Sequence, residues 1–239
     1  MLVLALDTTT RQGSAAVTRD SSLVAAYTGD ATITHGERLP GDLTRLLDAH
    51  RLRLEDIDLF AVAAGPGSLT GLRIGIAIMQ GLAFAGGKPL AGVSALNAIN
   101  DSLQSLSPQP SALGPRDEVG IWMDAGRGQV FSATYTTAGV VEAALVDKPS
   151  EIVARWAHER RHPTVFAGDG ALAYRDLIGA AFPGARIVEA VPPLAPSIAR
   201  LAELHVRRDG PSSPDAIRPI YIRRSDVELA RDRAAVSEP

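Results

Sequence analysis

The sequence predicts an α/β fold of two similar lobes. Three observations carry that reading. Short apolar runs that read as strands alternate with segments of helical period. A strand, an Asp-containing turn and a returning strand open the first half (Leu2 to Thr18) and again the second (Glu118 to Tyr135), a repeat that suggests duplicated lobes. Between the halves lies the proline- and serine-rich stretch Ser105-Leu-Ser-Pro-Gln-Pro-Ser-Ala-Leu-Gly-Pro115, which reads as a linker. The 239 residues suffice for one large domain or two small ones. The expected division is a first lobe at 1–106, a linker at 107–117, a second lobe at 118–225 and a tail at 226–239. A helix at 197–208 has the option of packing back on the first lobe.

Leu2 to Leu6 is apolar throughout, as in a strand buried on both faces. Gly13 to Thr18 and Leu23 to Thr28 follow as strands joined by the turn Arg19-Asp-Ser-Ser22. Thr34-His-Gly-Glu37 is a capping box, and Leu39, Leu43, Leu46 and Leu47 recur on one helical face. Pro40 lacks an amide donor, so it is expected to delay or bend the first turn of that helix. Leu59 to Ala64 is a further buried strand. It enters the turn Gly65-Pro-Gly-Ser-Leu-Thr-Gly71, where Ser68 or Thr70 can cap a helix running to about Phe84. That helix is apolar nearly all round, and Gly71, Gly75, Ala77, Gly81 and Ala85 supply small residues at four-residue spacing that permit close packing. It is either a central helix between sheets or an interface helix.

Pro89 to Val93 is a strand, and Ser94 caps a helix to about Leu106. In the second half, strands are expected at Glu118 to Met123, Gln129 to Tyr135, Val140 to Leu145, Thr164 to Ala167 and Arg186 to Val188. Helices are expected at Ser150 to Glu159, Leu172 to Phe182 and Ser197 to Arg208.

Composition excludes several function classes. Hydrophobic residues make up 46% and aromatics 5%, so the core is aliphatic. The net charge of −3 provides no domain-wide basic field to hold nucleic acid. The absence of cysteine excludes a disulfide scaffold, a thiol nucleophile and cysteine metal sites, and suits a cytoplasmic protein. Met1 to Leu6 is too short for a signal segment. The apolar run Ile74 to Gly87 is shorter than the roughly 18 residues of a membrane span.

Asp7-Thr8-Thr9-Thr10 ends the first strand, where the actin and hexokinase group places acidic and small hydroxyl residues against metal-bound phosphates. Asp124-Ala-Gly is its counterpart in the second half. An ordinary Asx turn explains the same residues, and Thr8 stands where that group has glycine. An ATPase or kinase acting through Asp7 and Asp124 is therefore one functional reading. The Gly65 to Gly71 turn could hold an anion at a helix N-terminus, assisted by Arg73, but no lysine follows Gly71, so it is not a phosphate loop of the Walker type. His158 and His162 have metal-ligand spacing, yet Glu159-Arg-Arg161 between them and Pro163 after them mark a solvated helix end. His35, beside the capping box, reads as structural. Arg207, Arg208, Arg218, Arg223, Arg224, Arg231 and Arg233 are interleaved with Asp209, Asp215, Asp226, Glu228 and Asp232, as in a solvated or partner-facing surface.

A family resemblance rests on blocks in a fixed order: Leu4-Ala-Leu-Asp-Thr-Thr-Thr10, His35-Gly-Glu-Arg-Leu39, Gly65-Pro-Gly-Ser-Leu-Thr-Gly-Leu-Arg-Ile-Gly75, Gly81-Leu-Ala, Gly92-Val-Ser-Ala-Leu96, Met123-Asp-Ala-Gly-Arg-Gly-Gln-Val130 and Pro219-Ile-Tyr-Ile-Arg223. The chain resembles the TsaB (YeaZ) family from about Met1 to Arg224. These are partner subunits of the bacterial machinery that makes threonylcarbamoyladenosine at tRNA position 37. The resemblance implies a two-lobed actin-like ATPase (ribonuclease H-like) fold, with mixed sheets flanked by helices. It implies a degenerate paralogue of the catalytic subunit TsaD, which carries a His-x-x-x-His metal motif where this chain has His35 and Leu39. It implies pairing through the first lobe, with TsaD or with a second copy, and help in recruiting the ATPase TsaE. Interface candidates on that basis are Leu39, Leu43, Leu46 and Leu47 of the earlier helix and Leu72, Arg73, Ile76, Met79, Gln80 and Ala83 of the later one. Asp7, Thr8, Thr9 and Asp124 are the nucleotide-binding candidates. No tightly bound cofactor, no metal and no catalytic residue is expected in this chain. ATP is expected, if anywhere, at a subunit seam, and tRNA is reached through the complex. A metal-dependent peptidase is the remaining alternative.

Overall fold

The computed structural model describes residues 1–105 and 117–223. All but the last residue of the expected linker lies outside them, as do the tail at 226–239 and Arg224, Arg231 and Arg233. β1 (Leu2–Asp7) is buried at every position, as a central strand covered on both faces must be. β2 (Ser14–Arg19) and β3 (Ser22–Thr28) return antiparallel. Their turn places Asp20 at φ 48° and Ser21 at φ 62°, as a two-residue hairpin of matching twist requires. β4 (Leu59–Gly65) and β5 (Leu90–Ser94) add in parallel on the other side of β1, giving the order β3-β2-β1-β4-β5.

The second sheet repeats the plan. β6 (Val119–Gly126), β7 (Gln129–Thr136), β8 (Gly139–Asp147), β9 (Val165–Ala167) and β10 (Arg186–Ile187) run in the order β8-β7-β6-β9-β10. β7 is antiparallel and β9 parallel to β6, as β2 and β4 are to β1. One strand order and one pattern of strand sense, used twice, is the duplicated actin-like arrangement.

The helices are α1 (His35–Ala49), α2 (Leu69–Gly86), α3 (Ala95–Ser105), α4 (Pro149–His158), α5 (Asp169–Ala173), α6 (Arg175–Ala181) and α7 (Ala195–Asp209). α1 and α2 cover the outer face of the first sheet, enclosing Leu4, Phe60, Val62, Leu43 and Met79. α3 and α7 fill the space between the sheets. α4, α5 and α6 cover the outer face of the second sheet around Trp122, Trp156, Phe166 and Phe182, with Trp122 and Phe166 edge to face at 5.5 Å. α7 lies against β1, β2, β4 and β5, so the C-terminal part of the described chain returns to the first lobe. Ser14 Oγ accepts the Ala195 N–H at 3.1 Å, and Glu203 accepts Ser21 N–H at 2.8 Å, fixing the start and the middle of α7 to the first lobe.

Several element boundaries differ from the sequence reading. α1 begins directly after Thr34 despite Pro40, because the Glu37 carboxylate takes the Thr34 hydroxyl at 2.6 Å and its N–H at 3.2 Å. The helix expected at Leu172 to Phe182 is two short ones, broken at Tyr174 (φ −113°, ψ 29°). α4 is preceded by Lys148 with Pro149 in its first turn, not capped by Ser150.

Candidate functional site

A cleft of about 430 Å³ opens between the lobes at the C-terminal ends of β1 and β9. Asp7, the turn from Thr10 to Ser14 and Thr28 line it from the first lobe. Met123, Gly168, Asp169 and Leu172 line it from the second, and Val191 to Leu194 close one side. Asp7 is buried, and its Oδ1 accepts the Thr9 N–H at 2.9 Å and the Thr9 hydroxyl at 2.6 Å. Burial pushes this carboxyl above the ordinary carboxylate range, against the pull of both Thr9 bonds.

The sign of the consequence is definite. A carboxyl whose folded value is raised contributes stability only while protonated, and loses that contribution as pH rises through the raised value. Asp7→Asn keeps an oxygen for both Thr9 bonds and removes the buried charge. It is expected to raise the melting temperature at pH 8, with the gain vanishing as pH falls below the ordinary Asp value. Melting curves from pH 3 to 8 check this.

The other nucleotide-binding candidates do not join Asp7. Asp124 is exposed and outside the cleft lining; its Oδ1 accepts Gly126 N–H at 2.8 Å in a local turn, and its own N–H donates to Asp169 Oδ1 at 2.9 Å. Asp169 is the carboxylate that the second lobe brings to the cleft. The sequence reading passed over it as the close of a strand, although Gly168-Asp-Gly170 flags a strand-end acid between glycines. Thr9 is used on Asp7. Thr8 turns away beneath α2: a Cβ at Gly71 would overlap its carbonyl oxygen, and a Cβ at Gly75 would overlap its Oγ1. The small residues at 71 and 75 therefore permit α2 to close on the end of β1, not on another helix.

A nucleoside triphosphate needs free backbone donors or cations. Here Thr9 N–H is bound to Asp7 and Gly13 N–H to Thr10 Oγ1 at 3.2 Å. Among the lining residues Arg11 is the one cation, and Asp7 and Asp169 are the two carboxylates. Two of the loop's amides are therefore already used, and Asp124 stands outside the lining.

His35 and Arg38 brace the same turn. His35 Nε2 meets Thr10 O at 2.9 Å, so that nitrogen carries the proton and Nδ1 accepts from Arg38 at 2.9 Å. Both ring nitrogens are thus engaged, and Leu39 is a core residue. Arg38 donates to Gln12 O and to Asp42 Oδ2 at 2.7 Å, with both side chains buried. Asp42→Ala leaves that guanidinium buried without its counter-charge and is expected to cost about 3–5 kcal/mol in a urea titration.

α2 presents a different surface from the one expected. Leu39, Leu43, Leu46, Leu47, Leu72, Ile76, Met79 and Ala83 are between 0 and 6% exposed and form the core of the first lobe. A helix lying on a sheet turns its i, i+4, i+7 row inward, and 72, 76, 79 and 83 are that row. The outward row is Leu69, Arg73, Ala77, Gly81, Phe84 and Ala85, with Leu69 49% and Phe84 58% exposed. Of the polar candidates, Gln80 donates to Pro214 O at 2.8 Å and Ile217 O at 3.2 Å, and Arg73 to the Tyr221 hydroxyl at 3.2 Å. Both hold the C-terminal strap, residues 211–223, which crosses the first lobe with Ile220 N–H on Ala64 O at 2.7 Å. Ser68, not Thr70, caps α2. Among the described residues α2 is the one helix long and apolar enough to cross a membrane, and its inward row is packed on β4.

Comparison with known proteins places this geometry. A family model described as TsaD, tRNA N6-adenosine threonylcarbamoyltransferase, matches residues 22–231. The chain is 26% identical over 181 residues to the Bacillus subtilis tRNA threonylcarbamoyladenosine biosynthesis protein TsaB, covering 74% of this chain and 75% of that one. It is 35% identical over 136 residues to the Escherichia coli protein of the same name, covering 51% and 58%. The structure of YeaZ from Pseudomonas aeruginosa superposes with a TM-score of 0.74 at 25% identity, over 92% of this chain and 99% of that one.

Proposed function

The chain belongs to the TsaB (YeaZ) branch of the tRNA N6-adenosine threonylcarbamoyltransferase family, and we propose that it serves there as a non-catalytic subunit. It takes part in tRNA threonylcarbamoyladenosine biosynthesis. In this reading TsaD transfers the threonylcarbamoyl group to N6 of adenosine 37, and this chain binds TsaD, holds it in its active shape and helps recruit TsaE. The complex works in the cytoplasm and brings tRNA to TsaD, and any ATP it binds sits at a seam between subunits. The observation that carries the reading is the outward face of α2: Ala77, Gly81 and Ala85 form a shallow row beside the exposed Phe84 ring, a surface able to take a second helix at close range. The same face serves for self-pairing when the chain is alone. Against the alternative, an ATPase or kinase acting through Asp7 and Asp124, stands the position of Asp124, which is exposed and outside the cleft lining.

Size-exclusion chromatography with light scattering tests this. Mixed with TsaD of the same organism, the chain is expected to elute as a one-to-one complex. Phe84→Asp is expected to elute alone with an unchanged melting curve. Absence of a wild-type complex, or co-elution of the variant, would overturn the assignment.

A further inference from the structure

The outward row of α2 consists of six residues between Leu69 and Ala85. A stable complex takes about 20–30 residues a side, so this row alone is too small to hold TsaD. The surface that continues it lies at the N-terminal end of the helix, where the strap crosses. Arg73 Nε donates to the Tyr221 hydroxyl at 3.2 Å, which ties the exposed face of α2 to the exposed ring of Tyr221. Leu69, one turn before Arg73, is 49% exposed, and Ile220 and Tyr221 are 43% and 53% exposed. Apolar surface therefore stands at both ends of α2, with Phe84 at one and Leu69, Ile220 and Tyr221 at the other. Leu69 and Phe84 are 15 residues apart, about 22 Å along the helix axis.

The strap is held in place by the chain itself. Ile220 N–H donates to Ala64 O at 2.7 Å, and Gln80 donates to Pro214 O at 2.8 Å and to Ile217 O at 3.2 Å. A segment already ordered loses little conformational freedom on binding. Tyrosine and arginine, the two side chains joined here, are among the residues that most often anchor interfaces. We propose that Leu69, Arg73, Ile220 and Tyr221 form a second anchor for TsaD, continuous with the α2 row, so that one partner surface runs from Phe84 onto the strap. This rests on the reading that the chain binds TsaD through α2, and it goes beyond it by giving the C-terminal strap a share of the interface.

Isothermal titration of the full chain into TsaD of the same organism tests the anchor. Tyr221→Ala is expected to weaken binding by about tenfold or more, and Ile220→Ser by a smaller factor, each with the melting curve of the wild type. Photo-cross-linking separates direct contact from an effect on α2. A p-benzoylphenylalanine in place of Tyr221 is expected to capture TsaD, and the same group in place of Val140, exposed on β8 of the second lobe, is expected not to. Wild-type affinity in both variants, equal capture from the two positions, or capture of a second copy of this chain in place of TsaD would overturn the inference. If the strap variants bind as the wild type does while Phe84→Asp does not bind, the second anchor falls and the subunit reading stands. If the wild type itself does not bind TsaD, the subunit reading fails and the anchor with it.

Discussion

Met79→Asp is expected to yield no folded protein, whereas Phe84→Asp, five residues along the same helix, folds and loses its partner. Met79 is fully buried in the core between α2 and the first sheet, and Phe84 is 58% exposed. Truncating a buried methionine to alanine costs about 2–5 kcal/mol in lost contacts and residual cavity. A carboxylate at the same place adds the desolvation of an unpaired charge, which exceeds what a marginally stable domain tolerates. Circular dichroism melts of Met79→Ala, Met79→Asp and Phe84→Asp separate the two faces. A stable, cooperatively melting Met79→Asp would show that the inward row is not core.

Gly71→Ala carries the second large effect. Its methyl group would overlap the carbonyl oxygen of Thr8, a backbone atom that cannot rotate aside, so α2 must lift from the end of β1. Overpacking of this kind costs about 1–3 kcal/mol and occasionally more. Gly75→Ala meets a side chain instead: it overlaps Thr8 Oγ1 and lies 3.1 Å from Cγ2 and 3.2 Å from Cβ. Thr8→Ala should therefore rescue Gly75→Ala and leave Gly71→Ala unrescued. A double-mutant cycle by urea denaturation reads the difference directly. Equal rescue of both would refute the packing of Thr8 under α2.

What the sequence disclosed follows from what is local. The strand runs at Leu2, Leu59 and Glu118, the capping box at Thr34 and the repeat of strand, turn and strand are set by neighbouring residues, and the sheets formed as read. The orientation of α2 was not legible. A helix apolar nearly all round gives no periodic signal to separate inward from outward, so the row at 72, 76, 79 and 83 was taken for a surface. The second acid of the cleft was misassigned for a related reason. Strand ends at Asp124 and Asp169 look alike in sequence, and only the parallel pairing of β6 with β9 decides which of them meets the cleft. The partners of Arg73 and Gln80 lie more than 130 residues away along the chain, beyond the reach of any spacing rule.

Reconstituted modification of an unmodified tRNA transcript by TsaD and TsaE, supplied with ATP and with the threonylcarbamoyl adenylate that serves as donor, with threonylcarbamoyladenosine measured by mass spectrometry, tests the central claim most directly. Formation of the modified nucleoside is predicted to require this chain, to survive Asp7→Asn, and to fail with Phe84→Asp. Modification that proceeds without the chain, or that Asp7→Asn abolishes, would contradict a non-catalytic subunit acting through the outward face of α2.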